Sequence, residues 1–196
     1  MGKKHDKGYG WELAVGAAVL TASAVTAYLL MRKDRKLLEQ RVKALIRRGE
    51  RYKHLTGPLF DTIPQRQLYT AVSANLQAKL KEAADPKEVL ASFTPEQSTI
   101  YIIYDVCQSV ATGGFVKLFS GEHSVFAVNA PEIFEQVGAD AYADILRKAN
   151  AVFECGMNAS DFQPLEAAFL SLMKTNPISN CCGAFISEHR SAFLDE

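Results

Sequence analysis

Residues 111–121 read ATGGFVKLFSG, a glycine pair followed by an aromatic, a lysine and further apolar residues. Adjacent glycines can present backbone N–H groups to a phosphate, or they can let a helical chain turn a corner. A P-loop needs GxxxxGK[ST] after a strand, and a dinucleotide fingerprint needs GxGxxG in the same setting. Neither spacing occurs here. The residues before the pair have helical periodicity, with Ile100, Ile103, Cys107 and Val110 on one face. The pair therefore reads as a corner. Thr112 ends the helix begun at Pro95, Gly113 takes the left-handed conformation that closes it, and Gly114 leaves room for a neighbouring backbone. Phe115, Leu118 and Phe119 then turn inward.

Helical signals extend on both sides of the corner. Thr62-Ile63-Pro64-Gln65, Asp85-Pro86-Lys87-Glu88 and Thr94-Pro95-Glu96-Gln97 each place a capping oxygen first and an acid or amide three residues later. Leu68, Val72, Leu76 and Leu80 fall four apart. Downstream, Asn129-Ala130-Pro131-Glu132 starts a short helix that Gly138 ends. Asp140 caps a longer one with Ile145, Leu146, Ala149, Val152 and Phe153 inward. Ser160-Asp161-Phe162-Gln163 opens another, with Leu165, Ala168, Phe169 and Leu172 inward. A last helix after Asn176-Pro177 carries Ile178, Cys181, Cys182, Phe185, Ile186, His189 and Phe193 at helical spacing. Only SVFAV (124–128) resembles a strand, and a lone strand has no partner. The expectation is an all-α domain of about seven helices over residues 58–196.

The first 57 residues differ in kind. After a short tail over 1–12, residues 13–31 (LAVGAAVLTASAVTAYLLM) carry no charge. At about 1.5 Å per residue their length nearly matches a hydrocarbon core of about 30 Å, the mark of a transmembrane helix. A cleaved signal peptide is the rival reading, since lysines precede the run and Ala22-Ser23-Ala24 fits a cleavage site. Nine Lys/Arg lie between Arg32 and Arg51, against three before the span, which directs the following domain to the cytoplasm. Residues 32–57 read as a basic juxtamembrane helix that Gly57-Pro58 terminates, suited to anionic lipid headgroups. Ala14, Ala18 and Ala22 allow close approach of a second copy and hence homo-oligomerisation through the span. Charge divides accordingly. Up to His54 there are 13 basic and 5 acidic residues, a net +8; from Leu55 onward there are 9 and 17, a net −8.

Candidate chemistry is sparse. Cys107, Cys155, Cys181 or Cys182 could supply a nucleophile, with His123 or His189 as base. Three of those cysteines fall on apolar faces, where thiols behave as small hydrophobes, and His189 lies four residues from both Phe185 and Phe193. No HExxH or CxxC spacing marks a metal site, and no motif calls for a cofactor. Glu132, Glu135, Asp140 and Asp144 form the best acidic cluster for contact with a basic partner, although a solvated helix face is the simpler account of them.

ATGGFVKLFSG followed by residues 130–153, APEIFEQVGADAYADILRKANAVF, resembles the C-terminal domain family of DNA-mimic proteins. The resemblance runs from about Pro95 to the C-terminus. Gly113, Gly114, Phe115, Phe119, Gly138, Ala139, Ala143 and Ala149 stand at corresponding places. Thr112, Lys117 and Ser120 stand where that family has asparagine, glutamine and asparagine. The resemblance implies an all-α domain that acts by protein contact, its motif serving as a turn and contact surface, with carboxylates imitating DNA phosphates. It implies no catalytic residue. The partners expected are another protein and the lipid bilayer rather than nucleic acid. An exported domain after signal cleavage and a cysteine-dependent enzyme are the alternatives.

Overall fold

Four-residue spacing of Leu68, Val72 and Leu76 places all three on one face of a helix, and each is almost wholly buried. That helix, α2 (Gln65–Glu82), follows a short α1 (Gly57–Asp61) and precedes α3 (Pro86–Ala91). The long α4 spans Pro95–Ser120; α5 (Ser124–Gln136), α6 (Asp140–Glu154), α7 (Ala159–Thr175), α8 (Ile178–Glu188) and a 3-10 turn (Arg190–Phe193) complete the order. The computed structural model of the chain describes residue 47 and residues 49–121, 124–156 and 158–195. The expected tail over 1–12, the membrane helix over 13–31 and the basic helix up to residue 46 lie outside the described residues. Among those described, every regular element is helical, and no helix is long and apolar enough to cross a membrane.

Arg48–Glu196 form one compact unit. Within it α2 packs on α8 and α4, α5 on α4 and α6, and α7 on α6 and α4. Four of the eight buried positions of α5 and α6 are alanine, at Ala127, Ala130, Ala143 and Ala149, and Phe134, Tyr142 and Leu146 supply the bulk of their core contribution. At the opposite side Gly183 of α8 lies against the start of α2. A Cβ there would come within 2.5 Å of the Gln65 carbonyl oxygen.

Local capping logic held at some starts and failed at others. Thr94 and Gln97 form a reciprocal box, Gln97 N–H donating to Thr94 Oγ1 at 3.2 Å and Thr94 N–H to Gln97 Oε1 at 3.3 Å. Asp85 accepts the Lys87 N–H at 2.8 Å. Thr62 is instead the C-cap of α1, its hydroxyl donating to the Leu59 carbonyl, and α2 begins after Pro64 without a side-chain cap. Ala139 and Asn158, not Asp140 and Ser160, precede α6 and α7.

Four expectations need correction. Gly57-Pro58 starts α1 instead of ending the basic helix, because proline is pre-set for a first helical turn. Tyr52 and Leu55, expected in the basic juxtamembrane helix over 32–57, belong to the buried core. Residues 124–128 are helical: Ala127, Ala130 and Phe134 form an inward stripe at three- and four-residue spacing, and α5 runs on through buried Pro131. Finally, Phe153 and Ala168 are exposed rather than inward.

The two ends of the unit are tied together. Leu55 N–H donates to Asp195 Oδ2 at 2.6 Å, and Asp195 N–H returns a bond to the Leu55 carbonyl at 2.9 Å. Buried Asn75 donates to Asp195 Oδ2 and to the Lys53 carbonyl, while Lys79 Nζ lies 2.5 Å from Oδ1. Burial pushes the Asp195 carboxyl up, but the bonds from Lys79, Leu55 and Asn75 outweigh it and hold the group below the usual carboxylate range. A depressed folded value means that the stabilisation is complete above the unfolded value and is lost as pH falls through the folded one. Replacing Asp195 with alanine removes one of the two acceptors of the buried Asn75 amide and the acceptor of the Leu55 N–H, and should cost about 2 kcal/mol in urea unfolding at pH 7. The deficit of the variant relative to the parent should shrink progressively below about pH 4; an unchanged deficit at low pH would show that the charge is immaterial.

Candidate interaction surface

Helix α4 bends at Gly114, whose φ of 70° and ψ of −172° interrupt its helical dihedrals. The left-handed residue is thus Gly114, and Thr112 and Gly113 remain within the helix instead of ending it. The close neighbour is a side chain rather than a backbone. A Cβ on Gly114 would fall 2.1 Å from Glu166 Oε1, and that same oxygen accepts the Phe115 N–H at 2.8 Å. The bend begins a second helical segment whose leading N–H groups lack carbonyls one turn back. The carboxylate from α7 fills that role, at the positive end of the segment.

The bend sorts the motif residues by face. Phe115, Leu118 and Phe119 are buried, Phe115 lying between Phe162 and Phe169 at centroid distances of 5.8 Å each. Thr112, Gly113, Lys117 and Ser120 face solvent. Thr112 Oγ1 donates to the Gln108 carbonyl and accepts from Lys117 Nζ at 2.8 Å, and Ser120 Oγ donates to the Val116 carbonyl. Gly138, with φ of 72°, closes α5: its N–H reaches the Glu135 carbonyl and that of Ala139 the Phe134 carbonyl.

Glu132, Glu135, Asp140 and Asp144 are all exposed around the α5–α6 connection. A cation sits among them. Arg147 pairs with Glu135, and its Nη1 donates to Asp144 Oδ1 at 3.1 Å; Glu132 also contributes to raising the guanidinium pKa, after the Glu135 hydrogen bond. Two of the four carboxylates are thereby partly neutralised, which the acidic spacing alone did not reveal.

The thiols are divided by burial. Burial pushes Cys107 up to about 12, against a smaller opposing hydrogen bond from Tyr69, and pushes Cys182 well above the ordinary thiol range. Cys181 is raised for the same reason, and its Sγ lies 3.6 Å from the Gly138 carbonyl oxygen. A neutral, buried thiol is a poor nucleophile. Cys155 is exposed. His189 caps α8, its Nδ1 2.9 Å from the Phe185 carbonyl oxygen and its ring against Phe185. His123 lies outside the described residues. No group of three His, Cys, Asp or Glu gathers for a metal among the described residues.

The model of the DMP19-like protein family matches residues 91–189, half of the chain. The chain belongs to the DMP19-like protein family. This is a family of DNA-mimic proteins, and the expected resemblance to such proteins is correct. The match begins four residues before Pro95 and stops before the C-terminal segment that carries Asp195. No curated protein and no solved structure matches the chain.

The DMP19-like match contains α4 to α8 and with them the Gly114 bend, Glu166 and the Arg147 group. Glu166 was beyond sequence reasoning, because it stands 51 residues from its partner N–H. Replacing Gly114 with alanine should destabilise the chain by roughly 2–4 kcal/mol, combining left-handed strain with the clash against Glu166. Glu166→Ala alone should cost about 1–2 kcal/mol. In the double variant the clash is relieved, so its loss in thermal or urea unfolding should be less than the sum of the singles. Simple additivity would separate the two residues.

Proposed function

We propose that this DMP19-like chain is a membrane-tethered, non-enzymatic interaction module, held at the cytoplasmic surface by residues 13–31 and acting through protein contact on the outer side of α5 and α6. The observation that carries this reading is the set of exposed carboxylates around Arg147, inside the segment matched by a family of DNA-mimic proteins. Residues 124–161 hold six carboxylates and two cations, and the chain from Leu55 onward carries net −8, a balance that favours a basic partner. The burial of Cys107 and Cys182 and the capping role of His189 weigh against thiol chemistry. The uncharged run over 13–31 and the nine basic residues after it support the tether and its orientation.

DNA mimicry in the strict sense would need carboxylates spaced like phosphates. Here Arg147 interrupts the acidic set, so contact with a basic protein surface is the form of the reading that the geometry favours. Amide substitution of Glu132, Glu135 and Asp144 together should weaken capture of a co-purifying protein by about tenfold near 50 mM salt, with the difference fading above about 0.5 M. Capture indifferent to both salt and the amides would remove the acidic contact. Alkaline carbonate should leave the chain in the membrane pellet; release of intact chain, or a mature N-terminus at Val25, would overturn the tether.

A further inference from the structure

We propose that the outer face of α5 and α6 is a docking site for an amphipathic helix whose apolar side is flanked by lysine or arginine; the proposal rests on the reading that this chain works by protein contact, and names the chemistry of the partner. Three large apolar side chains stand exposed among the described residues, Val125 at 66%, Val128 at 54% and Phe153 at 37%. Helix geometry brings all three together. Asn150 Nδ2 of α6 donates to the Val128 carbonyl of α5 at 3.0 Å, and Arg147 pairs with Glu135, so the helices run antiparallel with Val128 beside Asn150. Val125 lies one turn before Val128 and Phe153 one turn after Asn150, which sets them side by side. Phe119 anchors this end from beneath, stacked on Phe153 at 4.6 Å with the rings 8° from parallel.

Charge surrounds the apolar patch on two sides. Glu132 continues the stripe of Val125 and Val128 by one further turn, and Glu154 follows Phe153; both are exposed. Past the end of α6 a shallow depression is lined by Ala151, Val152, Cys155, Asn158 and Asp161. A helix laid across the outer face of α5 and α6 could seat apolar side chains at i, i+3 or i+4 and i+7 over Val125, Val128 and Phe153. Its cations would then meet Glu132, Glu154 and Asp161.

Other occupants fit less well. A stable homodimer buries about 800 Å² on each partner, far more than three side chains provide. An anionic lipid surface meets the net negative charge of residues 124–161 unfavourably. A folded basic domain would use the carboxylates and leave the valines in water.

A library of random 16-residue peptides displayed on phage, selected against the whole 196-residue chain with counter-selection on empty detergent micelles, tests the idea. Selected peptides should carry apolar residues at helical spacing among lysines or arginines. Their affinity should fall at least tenfold on the V125A/V128A variant, and amide resonances of Val125, Val128 and Phe153 should shift on binding. Alanine at these two exposed helical sites should leave thermal unfolding unchanged. Peptides that are basic but lack apolar spacing, and bind V125A/V128A equally, would overturn the docking site while leaving acidic contact intact. Acidic or uncharged peptides would overturn both. A dimer of the chain that dissociates in V125A/V128A, or capture of phosphatidylserine vesicles that depends on the same valines, would assign the patch to a second copy or to lipid and overturn the proposal.

Discussion

The Glu166 carboxylate against Gly114 is the contact on which the arrangement of helices depends. A carboxylate oxygen can approach a main chain this closely only where no Cβ intervenes, and it is held there because the Phe115 N–H has no helical carbonyl to meet. The bend it caps turns α4 so that Phe115 and Phe119 enter a cluster with Phe162 and Phe169 of α7, the helix that supplies Glu166. Polar cap and aromatic cluster therefore fix the same pair of helices from two sides. Phe134 and Tyr142 extend the cluster into α5 and α6, with Tyr142 also donating to the Asn176 carbonyl.

A second polar cluster closes the ends of the unit. The Asp195 carboxylate gathers a backbone N–H, an amide and an ammonium into one half-buried site, and the Asp195 N–H returns a main-chain bond to the Leu55 carbonyl. This explains why core packing begins upstream of Pro58, with Tyr52 and Leu55. The family match stops before Asp195, so this closure lies outside the matched segment.

On the outer side of α5 and α6, charge and apolar area occur together. Arg147 gives the carboxylates a fixed partner, which limits how phosphate-like they are, while Val125, Val128 and Phe153 leave unpaired apolar surface one turn away. A surface that combines both favours a partner with both, since charge orients an encounter and apolar burial holds it. The glycine motif contributes to this surface indirectly, by setting Phe119 beneath Phe153.

Features that depend on near neighbours along the chain were legible before any packing was known. Helical periodicity placed Leu68, Val72 and Leu76, and Ile100, Ile103, Cys107 and Val110, on buried faces, the Thr94–Gln97 box marked the start of α4, and the glycine pair marked its corner. Family membership was legible for the same reason, because the motif residues are contiguous. Tertiary structure decided which glycine turns, since that follows from Glu166, 51 residues away. It decided that residues 124–128 form helix, because inward packing of Ala127, Ala130 and Phe134 outweighed a strand-like local pattern. It also decided that Phe153 lies outward and that Arg147 meets Glu135 and Asp144, because a side chain's exposure and its ion partners are set by the helix packed beside it.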